Sequence, residues 1–216
     1  MSMDPRVRAV FGQIRVGIGG LRRSGFLRSL LTGRPVDGSR RPIPWLTYSA
    51  IHQLQKTLRP DDRVVEIGSG NSTLWFAERV AEVRSIETDS EWAQRVNEML
   101  AAAGRENAKV VYAPNFDERL TREMMEKASV ISIDGGFRCE AAAVAAAHAP
   151  HARLIIIDNT DCVEWASIPQ LFERRAAVIS AHRSMGPCLL HEWETTLVYM
   201  PAAPAGTQPP PTDPKV

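Results

Sequence analysis

The run Val64-Val65-Glu66-Ile67-Gly68-Ser69-Gly70-Asn71-Ser72-Thr73 joins a short apolar stretch to small polar residues through two glycines, with an acid two positions before the first of them. Glycine lets the backbone turn sharply and meet a ligand with no Cβ in the way. The polar residues that follow open a helix, whose first turn offers free N–H groups and a partial positive charge. These are the properties of a loop that cradles a nucleotide-like ligand. A dinucleotide loop would read G-x-G-x-x-G, and Thr73 stands where the third glycine belongs. A phosphate loop would end in Gly-Lys-Ser/Thr, and this run holds no lysine. Glu66 would repel a pyrophosphate but suits a cation. A second acid, Glu87, closes the stretch 83–87 nineteen residues beyond Gly68. From that position a carboxylate accepts hydrogen bonds from both hydroxyls of a ribose. The ligand so described is a nucleoside that carries positive charge and no phosphate.

A second set of residues has the makings of a reaction centre. Asp134-Gly135-Gly136-Phe137-Arg138 follows one apolar stretch, and Asp158-Asn159-Thr160-Asp161 follows another. A hydroxyl on carbon is a poor nucleophile at neutral pH, so group transfer to it calls for a base, a metal or both. Asp134, Asp158 and Asn159 at neighbouring strand ends would give Mg²⁺ three oxygen ligands, with water and substrate oxygens completing the shell. The alternative is that Asp134 contacts the ligand or a substrate hydroxyl directly while Asp158 and Asn159 cap the next helix. His182 and His191 bracket what reads as a loop after the sixth strand, and His182 is a candidate general base near neutrality. Trp45, Tyr48 and Trp193 are candidates to shape an acceptor pocket, with plain aromatic packing as the alternative.

These residues need a frame that brings strand ends together, and the chain alternates accordingly. The segment after Pro44 predicts a helix with Ile51, Leu54 and Leu58 on one face, ended by Pro60. Strands are expected over 63–67, 83–87, 109–112, 130–133, 153–157, 176–181 and 195–200. Between them fall a helix from Ser72 and one capped by Ser90 with a stripe of Trp92, Val96, Met99 and Leu100. An alanine-rich helix from about residue 140 stops at Pro150, and a further helix over 163–175 is disturbed by Pro169. Strict alternation implies an α/β fold, a doubly wound parallel sheet with ligands at the carboxyl ends of its strands.

S-adenosylmethionine (SAM), with its sulfonium and ammonium and no phosphate, fits the ligand described. The loop with its preceding acid and the acid closing the second strand resemble the class I SAM-dependent methyltransferases over about residues 44–200. The resemblance implies a Rossmann-like, seven-stranded, mostly parallel sheet whose last strand runs antiparallel between the fifth and sixth. It implies SAM across the first two strand tips: Gly68, Ser69, Gly70, Asn71 and Ser72 around the methionine, Glu66 near the ammonium and Glu87 on the ribose. Asn115 and Phe116 would lie beside adenine. Asp134 with Asp158-Asn159 resembles the cation-dependent O-methyltransferases of the catechol and caffeoyl type. Those enzymes carry a lysine three residues after the first Asp, where this chain has Phe137; Arg138 follows, but it stays protonated and cannot act as a base. Pro44-Trp45, Ile133-Asp134-Gly135 and Trp193-Glu194-Thr195-Thr196 are similar to bacterial class I methyltransferases, some of whose relatives act on sugars or secondary metabolites. The resemblance thus implies O-methylation of a small molecule or sugar, with Asp134, Asp158 and His182 at the reaction. Two rivals stand beside this reading. An NAD-dependent oxidoreductase is opposed by Thr73 and the lack of a Tyr-x-x-x-Lys pair; a non-catalytic scaffold on the same fold would use an arginine-rich N-terminus.

Composition sets outer bounds. The 216 residues suffice for one α/β domain, expected over 42–200, with tails. A net charge of +1 gives no electrostatic reason to expect nucleic acid as partner. That charge is unevenly spread: residues 1–41 hold nine arginines against Asp4 and Asp37, a net of +7, which leaves −6 for the remainder. Residues 11–31 mix Arg15, Arg22, Arg23 and Arg28 with apolar side chains and could contact an anionic membrane surface, although Gly17, Gly19, Gly20 and Gly25 weaken the helix that would do so. The alternative for 1–41 is a leader or a flap over the cofactor. Cys139, Cys162 and Cys188 are scattered, odd in number and without metal spacing, as free thiols in the cytoplasm would be. No stretch is long and apolar enough to span a bilayer. Six prolines in 201–216 predict a disordered tail. No sequence feature specifies an oligomeric state.

Overall fold

The computed structural model describes residues 24–176 and 178–201. The basic stretch up to residue 23 and the proline-rich stretch beyond Pro201 lie outside the described residues, and with them most of the membrane-contact and disordered-tail expectations. Helix α1 (Phe26–Thr32) is followed by α2 (Tyr48–Thr57), β1 (Arg63–Ile67), α3 (Asn71–Ala77), β2 (Glu82–Glu87), α4 (Ser90–Ala102) and β3 (Ala108–Tyr112). Then come α5 (Glu118–Met125), β4 (Val130–Ile133), α6 (Arg138–His148), β5 (Leu154–Asp158), a 3₁₀ turn (Ile168–Phe172), β6 (Val178–Met185) and β7 (Glu192–Tyr199). The seven strands are ordered β3-β2-β1-β4-β5-β7-β6. The first five pair in parallel, and β7 runs antiparallel to both β5 and β6. This is the arrangement the methyltransferase resemblance implied.

Alternation along the central strands divides the core in two. Val65, Ile67, Ile131, Ile133, Ile155 and Ile157 face one way, against Met125 of α5, the alanines of α6 and Phe172. Val64, Val130, Leu154, Ile156 and Leu197 face the other, against α2, α3 and α4. Strand β5, Leu-Ile-Ile-Ile-Asp, is buried along its whole length, as a strand covered on both faces must be. Ala141, Ala142 and Ala145 let α6 lie close on the sheet. At the amino ends of the strands, buried Asp62 pairs with Arg153 and accepts from Ser129 Oγ and Arg59 N, tying β1, β4 and β5 together. Burial alone would raise the Asp62 carboxyl; Arg153 and these hydrogen bonds hold it below the usual carboxylate range.

The structure corrects several expectations. No α-helix fills 163–175: Pro169 has no N–H to give, and the segment closes as turns around a 3₁₀ helix. Helix α5, unforeseen from the sequence, is short and polar and starts on Asp117, whose side chain accepts from Leu120 N. Asp89, not Ser90, caps α4 by accepting from Trp92 N. Trp92 leaves the core stripe, which is made by Ala93, Val96 and Leu100. Strand β6 runs four residues beyond 181, so His182 lies within a strand and not in a loop.

Residues 24–42 are folded onto the domain. Gly25 adopts a left-handed conformation where any Cβ would strike Val36 and Asp37. Ser29 Oγ donates to Val36 O and accepts from Val36 N, and Val36 bridges Pro42.

Candidate active site

The carboxyl ends of β1 and β4 meet backbone to backbone. Gly68 has φ +95°, and a Cβ on Gly135 would sit 2.6 Å from Gly68 N. Only glycine on both sides lets these loops touch. Gly68 N donates to Ile86 O (2.8 Å) and Asp134 N to Ile67 O (3.0 Å), so the loops after β1, β2 and β4 share one scaffold.

On the side of β1 and β2, Glu87 holds the glycine loop. One carboxylate oxygen accepts from Ser69 N (3.0 Å) and Ser69 Oγ (2.9 Å), the other from Thr88 N (2.8 Å) and Asp89 N (3.2 Å). A carboxylate has about four acceptor positions, and these donors fill them. Glu66 lies beneath the loop, on the face that Val64 shares, and accepts from Ser85 Oγ of the paired residue in β2 (2.7 Å). Burial pushes its carboxyl up to about 6, against the hydroxyls of Ser85, Ser72 and Thr73. Glu66, Gly68, Ser69, Ser72, Glu87 and Asp134 line a hollow of about 140 Å³. Gly70 and Asn71 begin α3, but the Asn71 amide donates to Pro35 O (2.6 Å), fastening the N-terminal segment to the loop. Asn115 and Phe116 line a narrow slot with Ile86, Thr121 and Phe137, of only about 20 Å³. The Phe116 and Phe137 rings stand 6.0 Å apart there, and Phe137 is held at φ +58°.

On the acceptor side, Asp134, Asp158 and Asn159 come together as the sequence predicted. Each already has a partner. Asp134 Oδ1 accepts from Arg138 Nη2 (2.9 Å), and the same nitrogen donates to Asn159 Oδ1 (3.0 Å). Arg138 Nη1 donates to Gly135 O (2.7 Å), and the guanidinium lies 4.0 Å from the ring centre of Trp165. Asp158 is buried, and its Oδ1 accepts from Trp193 Nε1 (3.1 Å) and Thr195 Oγ1. Thr195 in turn accepts from Thr47 N (3.2 Å). Trp193 reaches this position because Gly186 leaves room: a Cβ there would lie 2.3 Å from its ring. Burial pushes Asp158 up to about 6 despite these donors. Asp134 is raised well above the usual carboxylate range, first by desolvation and next by the charge of Asp158, with Arg138 opposing.

The Mg²⁺ expectation does not fit this donor set. Arg138 bonds to two of the three proposed ligands, and Trp193 and Thr195 saturate the bonding oxygen of the third. Among the described residues no three His, Cys, Asp or Glu side chains converge as a metal-binding group. His182 does not join the site either: its ring Nε2 meets Ser180 Oγ (3.2 Å) along its own edge strand, and burial lowers its pKa. Alternation explains the placement, since His182 follows Ser180 on one face of β6.

The glycine loop and the acids open onto one cavity of about 830 Å³. Ser69–Ser72, Asp134, Asp158 and Asn159 form its floor; Trp45, Trp92 and Trp193 form walls, and residues 32–35 close one side. Trp92 Nε1 donates to Ser69 O (2.8 Å), so it braces the loop. Two features escaped the sequence reading. Arg138 was seen only as a residue unable to act as a base, and its pairing with Asp134 runs through the loop that leads into α6. Trp92 looked like helix core. The wall from 32–35 falls within the 1–41 stretch for which a flap over the cofactor was one expectation.

This sheet order and loop geometry define the class I methyltransferase fold. Solved structures of similar fold include a proposed O-methyltransferase from Klebsiella pneumoniae, with TM-score 0.55 and 20% identity, covering 82% of this chain and 90% of that one. An rRNA methylase from Streptococcus thermophilus gives 0.52 at 16% identity over 68% and 91% of the two chains. A proposed tRNA (m1A22) methyltransferase from Streptococcus pneumoniae, solved with SAM, gives 0.50 at 15% over 73% and 74%. At such identities the likeness establishes the fold. No family model matches the chain, and no curated protein matches it by sequence. Among the described residues no helix is long and apolar enough to cross a membrane.

Proposed function

We propose that the protein is a SAM-dependent methyltransferase that O-methylates a small, ring-bearing molecule, an aromatic or sugar alcohol. The observation that carries this reading is the convergence of the Gly68–Ser72 loop and the Asp134–Asp158 pair on one tryptophan-walled cavity of about 830 Å³. That volume is in the range of small-molecule sites, about 300–1,000 Å³. Tryptophan faces suit flat or ring-shaped acceptors. The similar folds include RNA methylases, but a net −6 over residues 42–216 favours a small acceptor over a polyanion.

SAM supplies a methyl group on a sulfonium, already activated for displacement. Gly68–Ser72 would hold its amino-acid end, with Glu66 below, and Glu87 would take the ribose by exchanging the Ser69 hydroxyl for a ribose hydroxyl. Adenine would enter the slot by parting Phe116 from Phe137. Asp134, exposed to 32% on the cavity side, is the general base. When bound, SAM would supply the methyl group and keep the sulfur–carbon electron pair on its sulfur, and Asp134 would take the proton from the acceptor hydroxyl. A carboxylate with a raised pKa holds that proton better than an ordinary aspartate. Asp158, fixed by Trp193 and Thr195, positions the neighbouring loop.

Isothermal titration with SAM, S-adenosylhomocysteine and NADH tests the cofactor assignment. Micromolar binding of the two sulfur ligands and none of NADH is expected. NADH binding alone would identify an oxidoreductase, and no binding of any of the three would leave the scaffold reading.

A further inference from the structure

We propose that Arg138 is a built-in replacement for the divalent cation of the metal-dependent O-methyltransferases that this site resembles. Three observations support it. The guanidinium bridges Asp134 Oδ1 and Asn159 Oδ1 from a single nitrogen, at 2.9 and 3.0 Å, the two oxygens a shared cation would link. Its other terminal nitrogen holds Gly135 O at 2.7 Å, so the charge is anchored to the loop after β4. The side chain is only 12% exposed and stacked on Trp165, which fixes it there. Its Nε is buried with no partner, the expense of packing a guanidinium so closely.

The chemistry differs from that of a metal in two ways. A permanent cation offsets the paired charges of Asp134 and Asp158 with no dependence on metal supply. It also has no open coordination position, because the terminal nitrogens already donate to protein oxygens. The acceptor is therefore placed by the cavity walls and by Asp134, not by chelation. A lone hydroxyl suffices, and a vicinal second oxygen confers no advantage. This last consequence rests on the methyltransferase reading; the exclusion of metal does not.

Mn²⁺ is the probe, since it replaces Mg²⁺ at oxygen sites and its binding is read by electron paramagnetic resonance without SAM or acceptor. The full chain should show no Mn²⁺ binding that depends on Asp134. Arg138→Ala and Arg138→Gln should each gain affinity at least about tenfold, corresponding to 1.4 kcal/mol. Adding Asp134→Asn to either should abolish the gain. Thermal melts identify the variants that keep a cooperative fold, and Arg138→Gln, which preserves the stem on Trp165, serves if the alanine variant does not. Binding to the unaltered chain that Asp134→Asn removes would overturn the proposal. So would folded Arg138 variants that gain nothing. Once a transfer assay is in hand, EDTA should leave the rate unchanged, and a loss restored by Mg²⁺ would likewise overturn it. Failure to bind SAM would defeat the methyltransferase reading and leave the Mn²⁺ result standing.

Discussion

Asp134 and Asp158 stand at adjacent strand ends yet differ in their surroundings. Asp158 is buried and takes hydrogen bonds from Trp193 and Thr195, whereas Asp134 meets Arg138 through one oxygen and opens onto the cavity. Among the described residues its second oxygen receives no hydrogen bond, which leaves it available to an incoming hydroxyl. Asp134→Asn keeps size and shape but removes the base. Transfer should fall by about 10²–10⁴, the usual span for a positioned general base, with SAM affinity by calorimetry essentially unchanged. Because Asp134 titrates above the normal carboxylate range, transfer by the unaltered protein should decline as pH falls through that raised value. A rate untouched by the substitution would remove Asp134 from the chemistry.

At the scale of elements, the site depends on how closely two loops approach. The contact between Gly68 and Gly135 joins the end of β1 to the end of β4, so the loop expected to carry SAM and the base move as one body. In Gly135→Ala the new Cβ would stand 2.6 Å from Gly68 N, and that atom is backbone with nowhere to go. The loops must part. Overpacking of this kind costs about 1–3 kcal/mol, and for a chain of this size each kcal/mol lowers the melting temperature by about 2–4 °C. Calorimetry should also show SAM affinity weakened more than tenfold; unchanged affinity would mean that the glycine contact is not part of the cofactor site. The glycines were readable in the sequence, but the contact between them was not. It exists because β1 and β4 are neighbours in the sheet although more than sixty residues separate them.

At the scale of the whole molecule, stability carries the cost of a buried carboxyl near the site. Glu66 is held at about 6 when folded, above its ordinary value near 4.5, so the folded protein binds that proton more tightly than the unfolded chain. Through this group, unfolding free energy is highest at low pH. It declines as pH rises between about 4.5 and 6, and above 6 the ionised form costs about 2 kcal/mol. Glu66→Gln should remove this part of the pH dependence. The gap in melting temperature between the variant and the original should be larger at pH 7.5 than at pH 5, and an equal gap at both would refute the assignment. Such a cost, retained beside a ligand loop, is of the kind that functional sites impose on stability.

What the sequence by itself determined is local in origin. Apolar alternation and glycine placement announced the strands, the turn after β1 and the acids at the strand ends, because each depends on neighbours a few residues away. The antiparallel β7 came from resemblance, since nothing local distinguishes its direction. Tertiary structure decided what those acids meet. Arg138 falls between Asp134 and Asn159 only once β4 and β5 lie side by side, and Trp193 reaches Asp158 only because β7 inserts next to β5 beside a glycine at 186. His182 fell within β6 and not in a loop, as that strand continued past its expected end, and its ring meets Ser180. The spacing of oxygen donors suggested a metal; a guanidinium four residues along the chain, brought into place by the loop after β4 and by the sheet, bonds two of those donors.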